Sequence, residues 1–106
     1  MLSVSVVWSD KAKKSYAEII DYLEWRWTYK EINHFISRTE ITIEKIISDP
    51  YFFKQYQFDS KVRQAVLHPT VVLIYEILPD EETVNLLVFW PTRQNPKSLI
   101  LKKKDR

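Results

Sequence analysis

VVLIYEILPDEETVNLLVFW, Val71 to Trp90, decides the fold. Val71 to Leu78 is a nearly continuous apolar run, interrupted only by Glu76. Pro79-Asp80-Glu81-Glu82 supplies turn chemistry, and Thr83 to Trp90 is a second apolar run of strand length. So short a turn forces the two strands to lie antiparallel. The first strand is apolar on both faces, which predicts a central strand covered on both sides.

Working backward, His68-Pro69-Thr70 is a turn and Lys61 to His68 a further strand, giving an antiparallel meander of three. Tyr51 to Phe58 (YFFKQYQF) fits neither the helical nor the strand period. Ahead of it the period becomes helical. Ala12, Tyr16, Ile19, Ile20 and Leu23 form one stripe, capped at Ser9 or Asp10. Ile32, Phe35, Ile36, Ile43, Ile46 and Ile47 form another, opened by the capping box Thr28-Tyr29-Lys30-Glu31 and stopped at Asp49-Pro50. Ser3 to Trp8 is a β-branched opening strand. The expected fold is α+β, β-α-α-β-β-β, one domain over residues 1–106, with an antiparallel sheet and a helical hairpin on one face. Nothing obvious is left to cover the sheet's other face, and a bare face asks for a partner.

The 106 residues contain no Cys, which removes disulfides and thiolate metal sites. They contain no Gly, which removes Gly-rich phosphate cradles and leaves the turns to Pro, Asn, Asp and Ser. No metal or other cofactor is expected, since His34 is isolated and Asp80-Glu81-Glu82 is explained as a solvated turn. No apolar run reaches the ~18 residues of a membrane span, and no charged segment precedes an apolar core at the N-terminus. The cytoplasm is therefore the expected location. Net charge is +2, but from Thr83 onward six basic residues face one acidic residue. That segment ends in Lys102, Lys103 and Lys104, which fit either a solvated tail or a surface for an acidic partner.

Beyond Trp90 the chain reads Pro91-Thr92-Arg93-Gln94-Asn95-Pro96-Lys97. The antiparallel order brings Thr92 and Arg93 to the end of the sheet that carries His68. Arg93 with Gln94, Asn95 and Lys97 fits a clamp for phosphate or carboxylate, and equally an Arg tying down a loop. His68 fits a general base beside Arg93 or a solvated turn residue. Arg63 is read as a cross-strand ion pair with Glu76, ~15–20 Å from Arg93 at ~3.3 Å per residue. Phe89 and Trp90 must face opposite ways, so one is a candidate for the uncovered face, either as a stacking group or as a core closure. Trp25, Trp27 and Tyr29, with Tyr51, Phe52 and Phe53, are expected to pack under the helix corner.

Trp8-Ser9-Asp10-Lys11-Ala12, Ile19-Ile20-Asp21-Tyr22-Leu23, Val62-Arg63, Leu73-Ile74-Tyr75-Glu76-Ile77 and Arg93-Gln94-Asn95-Pro96 stand in an order that resembles the RelE/ParE family. These are the toxins of type II toxin–antitoxin modules, also described as plasmid stabilisation proteins. The resemblance runs from about Val4 to Leu99. It implies a cognate antitoxin as partner in a hetero-oligomer, and one of two targets. RelE-like members cut messenger RNA on the ribosome, while ParE-like members poison DNA gyrase without being known as nucleases. Of the basic RelE active set, Arg63 and Arg93 match, whereas Ala65, Val72 and Leu99 stand where a Lys, an Arg and a Tyr are needed. The resemblance thus leans to the ParE-like branch. Target or antitoxin contacts are expected at Arg63, Val72, Glu76, Trp90, Arg93, Asn95 and Lys102 to Lys104. A rearranged ribonuclease would use His68, Arg93 and Lys97, without a metal. A third reading is an inactive toxin fold kept as a protein-binding module.

Overall fold

The computed structural model describes residues 4–26 and 29–92. Strand β1 (Ser5–Trp8) leads into helices α1 (Asp10–Arg26) and α2 (Tyr29–Ser48). Strands β2 (Lys54–Tyr56), β3 (Asp59–His68), β4 (Val71–Ile77) and β5 (Thr83–Pro91) follow. The sheet order is β1-β5-β4-β3-β2, with β1 parallel to β5 and every other pair antiparallel. The α+β architecture with its helical pair on one face is the expected one. Two features add to it: β2 is an extra edge strand, and the parallel β1 extends the sheet beyond β5.

Helix α1 begins at a Ser9 cap. Ser9 Oγ accepts the Ala12 amide at 2.9 Å and donates to the Leu87 carbonyl at 3.0 Å, so one hydroxyl caps the helix and ties it to β5. Ala12 and Ile19 are buried under it, with Tyr16 and Ile20 packed alongside. On α2, Ile32, Phe35 and Ile46 are buried, and so are Thr39 and Thr42, which the apolar stripe did not include. Thr39 fits an interior position because its hydroxyl donates to the Phe35 carbonyl at 2.9 Å. Burial raises the Tyr16 phenol, partly offset by a hydrogen bond with Thr39.

Against the helices the sheet sets Leu67, Val71, Leu73, Tyr75, Ile77, Val84, Leu86 and Phe89. The Tyr75 hydroxyl donates to the Pro50 carbonyl at 2.6 Å. Burial pushes that phenol well up, with Arg63 opposing. Phe53 closes on Tyr75 edge to face at 6.3 Å. The expected aromatic packing under the helix corner is corrected at Tyr29, which is 83% exposed, and at Tyr51, which bonds to Glu81 in the β4–β5 turn, while Phe52 lies beside Lys45 of α2. The Trp25 side chain and Trp27 lie outside the described residues.

The bare second face is also corrected. Val62, Val72, Ile74, Leu87 and Val88 are buried there together with Tyr56, and Trp90 packs against them. A bulge in β5 adds one apolar residue to this side. Ile74 pairs with Val88 while Tyr75 pairs with Leu86, so Leu87 is an extra residue and shares its side of the sheet with Val88. The two neighbours, with Tyr56 from the unforeseen strand and Trp90, make this side a second small core.

Candidate functional site

At one end of that second face, Val66, Val72 and Trp90 lie on a single rung across β3, β4 and β5. Val72 is buried, Trp90 half-buried and Val66 61% exposed. Phe89 pairs with Leu73 on the helix side, so Trp90 is the one of the two that faces away from the helices. Just past the rung, the Thr92 amide donates to the Thr70 carbonyl at 2.8 Å and its hydroxyl to the Pro69 carbonyl at 3.0 Å. These two bonds clamp the end of β5 to the β3–β4 turn. Arg93, Asn95, Lys97, Lys102, Lys103 and Lys104, the basic candidates, lie outside the described residues, as does Leu99.

His68 sits in the same turn. Its Nδ1 accepts the Thr70 amide at 3.1 Å and stands 2.8 Å from Thr70 Oγ1. An accepting Nδ1 puts the proton of the neutral ring on Nε2 and commits the ring's lone pair to the turn. A general base needs that lone pair for substrate. The geometry therefore gives His68 a turn-holding role.

Arg63 and Glu76 are not partners across the strands. Arg63 lies opposite Tyr75, and Glu76 lies opposite Val62 and Asn85. A register shift between Val66 and His68 moves the pairing by one residue, and a one-residue slip puts the two side chains on opposite faces. Arg63 donates from Nε to the Ser60 carbonyl at 3.0 Å and from Nη1 to the Phe53 carbonyl at 3.1 Å. Its guanidinium lies 5.0 Å from the Tyr51 ring. Glu76 shares the second face with Val72 but lies four residues along β4, ~13 Å away at ~3.3 Å per residue. Of the described candidates, then, the fold brings together Val72, Trp90 and His68 and separates Arg63 and Glu76 from them. Val66 was not singled out from sequence, although its alternation with Val62 in KVRQAV places both on one face.

The remaining RelE positions are chemically poor. Ala65 is buried and pairs with Leu73, on the helix side, and Val72 carries no polar group. Among the described residues no cluster of His, Asp or Glu could hold a metal, and no helix is long and apolar enough to cross a membrane.

Layered helices over a β1-β5-β4-β3-β2 sheet define the RelE/ParE-like toxin fold. The family model described as "ParE toxin of type II toxin-antitoxin system, parDE" matches residues 6–96, and this chain belongs to that family. Among solved structures, it is similar to the chromosomal ParDE toxin–antitoxin system from P. aeruginosa. That likeness has a TM-score of 0.68 at 11% identity and covers 86% of this chain and 98% of that one. It is also similar to the RelBE2 toxin–antitoxin complex from Mycobacterium tuberculosis. There the TM-score is 0.58 at 14% identity, over 85% of this chain and 99% of that one. At such identities the likenesses establish the fold. A search of the curated proteins found no match.

Proposed function

We propose that this ParE-family toxin inhibits growth by binding DNA gyrase without catalysis, and that a cognate antitoxin holds it inactive in a hetero-oligomer. One observation carries the non-catalytic reading. At the described positions where the ribonuclease resemblance asks for cations on one surface, Arg63 is bonded to carbonyls on the helix side, Ala65 is buried, and Val72 is apolar. His68 uses its Nδ1 on the turn. Metal-free RNA cleavage needs a base, an acid and cations converging on one phosphate, and these residues do not converge. The family and the toxin–antitoxin assemblies named among the similar structures support an antitoxin as the partner. A gyrase target places the protein in the cytoplasm.

The test is induction of the chain in cells, paired with a supercoiling reaction on purified gyrase. Linearised DNA with a damage response, and arrested supercoiling, are the expected results. Rapid loss of messenger RNA with gyrase untouched would replace this reading by the ribosome-dependent endoribonuclease. No growth effect at all would leave the protein-binding module. A small acidic reading frame directly upstream would identify the cognate antitoxin, whose co-expression is expected to restore growth.

A further inference from the structure

Both helices pack on one side of the sheet, and the buried cluster on the second face contains no residue of α1 or α2. Its centre is nevertheless dry. Ile74 has 0% exposure, and Val62, Leu87 and Val88 are nearly as closed. Side chains of a sheet stand upright, so in-plane neighbours shield one another's flanks and leave the tips to solvent. Tyr56 and Trp90 border the cluster from β2 and from the end of β5, where Trp90 is itself only half-buried. Closing Ile74 takes a further layer.

The dry residues form a strip. From Leu87 and Val88 on β5 it passes Ile74 on β4 and Val62 on β3 to Tyr56 on β2, oblique to the strands. On one flank Val66 is 61% exposed. On the other stands Val7, 51% exposed, which β1 turns away from the helix-side Val6 and Trp8. A strip closed along its length and open on both flanks has the width of one chain segment, not of a broad protein surface.

We propose that this strip is the docking site of the chain's own C-terminal segment, with Leu99, Ile100 and Leu101 over Ile74. Those three are the large apolar side chains of residues 93–106. Thr92 is bonded to Thr70, four residues before Ile74, which is ~13 Å at ~3.3 Å per residue. Leu99 follows Thr92 by seven residues, enough to reach ~23 Å on the same scale. Lys102, Lys103 and Lys104 come next, and Glu76, two residues beyond Ile74 on the same face, offers them opposite charge. A segment tethered this closely is present at roughly millimolar effective concentration, ahead of a second copy or a free peptide. The second face is thus a self-occluded surface: a partner that reaches Ile74 displaces the segment, whereas Val66 is reached without doing so. This inference is independent of the gyrase reading.

The experiment places the photo-crosslinker p-benzoylphenylalanine at Gln64, which pairs with Ile74 on this face, in the otherwise unaltered chain. A second protein carries it at Val7 instead. After irradiation the monomer is digested with trypsin, and the crosslinked peptides are identified by mass spectrometry. The Gln64 position is expected to capture the tryptic peptide Ser98–Lys102 within the monomer, and the Val7 position to capture nothing from residues 93–106. Leu99→Asp, Ile100→Asp and Leu101→Asp combined are expected to abolish that capture and to raise the emission of a dye for apolar surface. Circular dichroism shows whether this triple variant is folded, and the crosslink in the unaltered segment decides the proposal even if it is not. Capture at Gln64 of a second copy, of a helix peptide, or of nothing from residues 93–106 overturns the proposal. Equal capture from Gln64 and Val7, or a folded triple variant that is still captured, overturns it as well.

Discussion

The Phe89 amide donates to Ser15 Oγ across 2.9 Å, joining the last strand to the first helix. β1 pairs with β5 only as far as Leu86, so the β5 edge beyond that point needs other partners for its backbone groups. Ser9 and Ser15 on the α1 side supply them, at the Leu87 carbonyl and the Phe89 amide. The Ser15 hydroxyl in turn donates to the Ala12 carbonyl at 3.2 Å. The helix is thus registered against the bulge by two small hydroxyls. Ser15→Ala leaves a buried amide unsatisfied and is expected to destabilise the fold by about 1–3 kcal/mol. A lower urea midpoint at unchanged slope is the signature, and an unmoved midpoint would show that water replaces Ser15.

Gln57 tests the cost of a chain without glycine. It has φ of 55° in the two-residue connection between Tyr56 and Asp59, where β2 turns into β3. Its conformation is braced by the Gln55 side chain, which donates to the Gln57 carbonyl at 3.3 Å. Glycine reaches this region without the Cβ clash. Gln57→Gly is expected to raise stability by up to about 1 kcal/mol, after the extra entropy of the unfolded glycine is subtracted. Thermal unfolding that moves down instead would mean that the Gln57 side chain contributes more than its backbone costs.

Asp80 sets an acid limit at the β4–β5 turn. Its Oδ1 accepts the Glu82 amide at 2.9 Å and the Thr83 amide at 3.0 Å, while Oδ2 accepts the Thr83 hydroxyl at 2.9 Å. The Glu82 amide first, and then the Thr83 hydroxyl, hold its carboxyl below the ordinary value of 3.8. A depressed folded value means that the unfolded chain takes up the proton first. The stabilisation is therefore present above pH 3.8 and is lost as the pH falls through the lower folded value. Asp80→Ala is expected to be less stable near neutrality and to lose less on acidification than wild type. Parallel acid unfolding curves for the two proteins would count against this assignment.

What could be read from sequence followed the strength of local periodicity. The two amphipathic stripes gave α1 and α2, and the turn residues at Pro69 and Pro79 separated β3, β4 and β5 nearly where they stand. Three residues, Lys54–Tyr56, are too few to show alternation, so β2 was invisible. The Leu87 bulge was invisible for the opposite reason: in VNLLVFW almost every residue is apolar, and no polar position marks the slip. The irregularity near Leu67 then misplaced Arg63 relative to Glu76. In a chain without glycine, nothing flags Gln57 and Glu81 as left-handed. The Tyr51–Lys61–Glu81 cluster is built by contacts of long sequence separation, which no window along the chain contains.

Arg93 follows directly on Thr92, whose amide and hydroxyl fasten the end of β5 to the Pro69–Thr70 turn. Those bonds belong to Thr92, and removing the next side chain leaves them in place. Arg93→Ala is expected to keep the wild-type melting temperature while weakening growth inhibition on induction. Full toxicity from a stably folded Arg93→Ala protein would make PTRQNP a strand ending and nothing more.

Val66 separates neutralisation from folding. It is the open end of the Val66–Val72–Trp90 rung, and at 61% exposure its replacement costs little in the free protein. If the antitoxin lays an apolar segment along this end of the second face, a charge at Val66 has to be desolvated in the complex. Val66→Lys is therefore expected to melt within a degree or two of wild type, remain toxic alone, and escape rescue by the co-expressed antitoxin. Val66→Ala, which removes two methyl groups and adds no charge, is expected to remain rescued. Complete rescue of Val66→Lys would move the antitoxin to another surface, with toxicity of the unpartnered variant confirming that the toxin itself was intact.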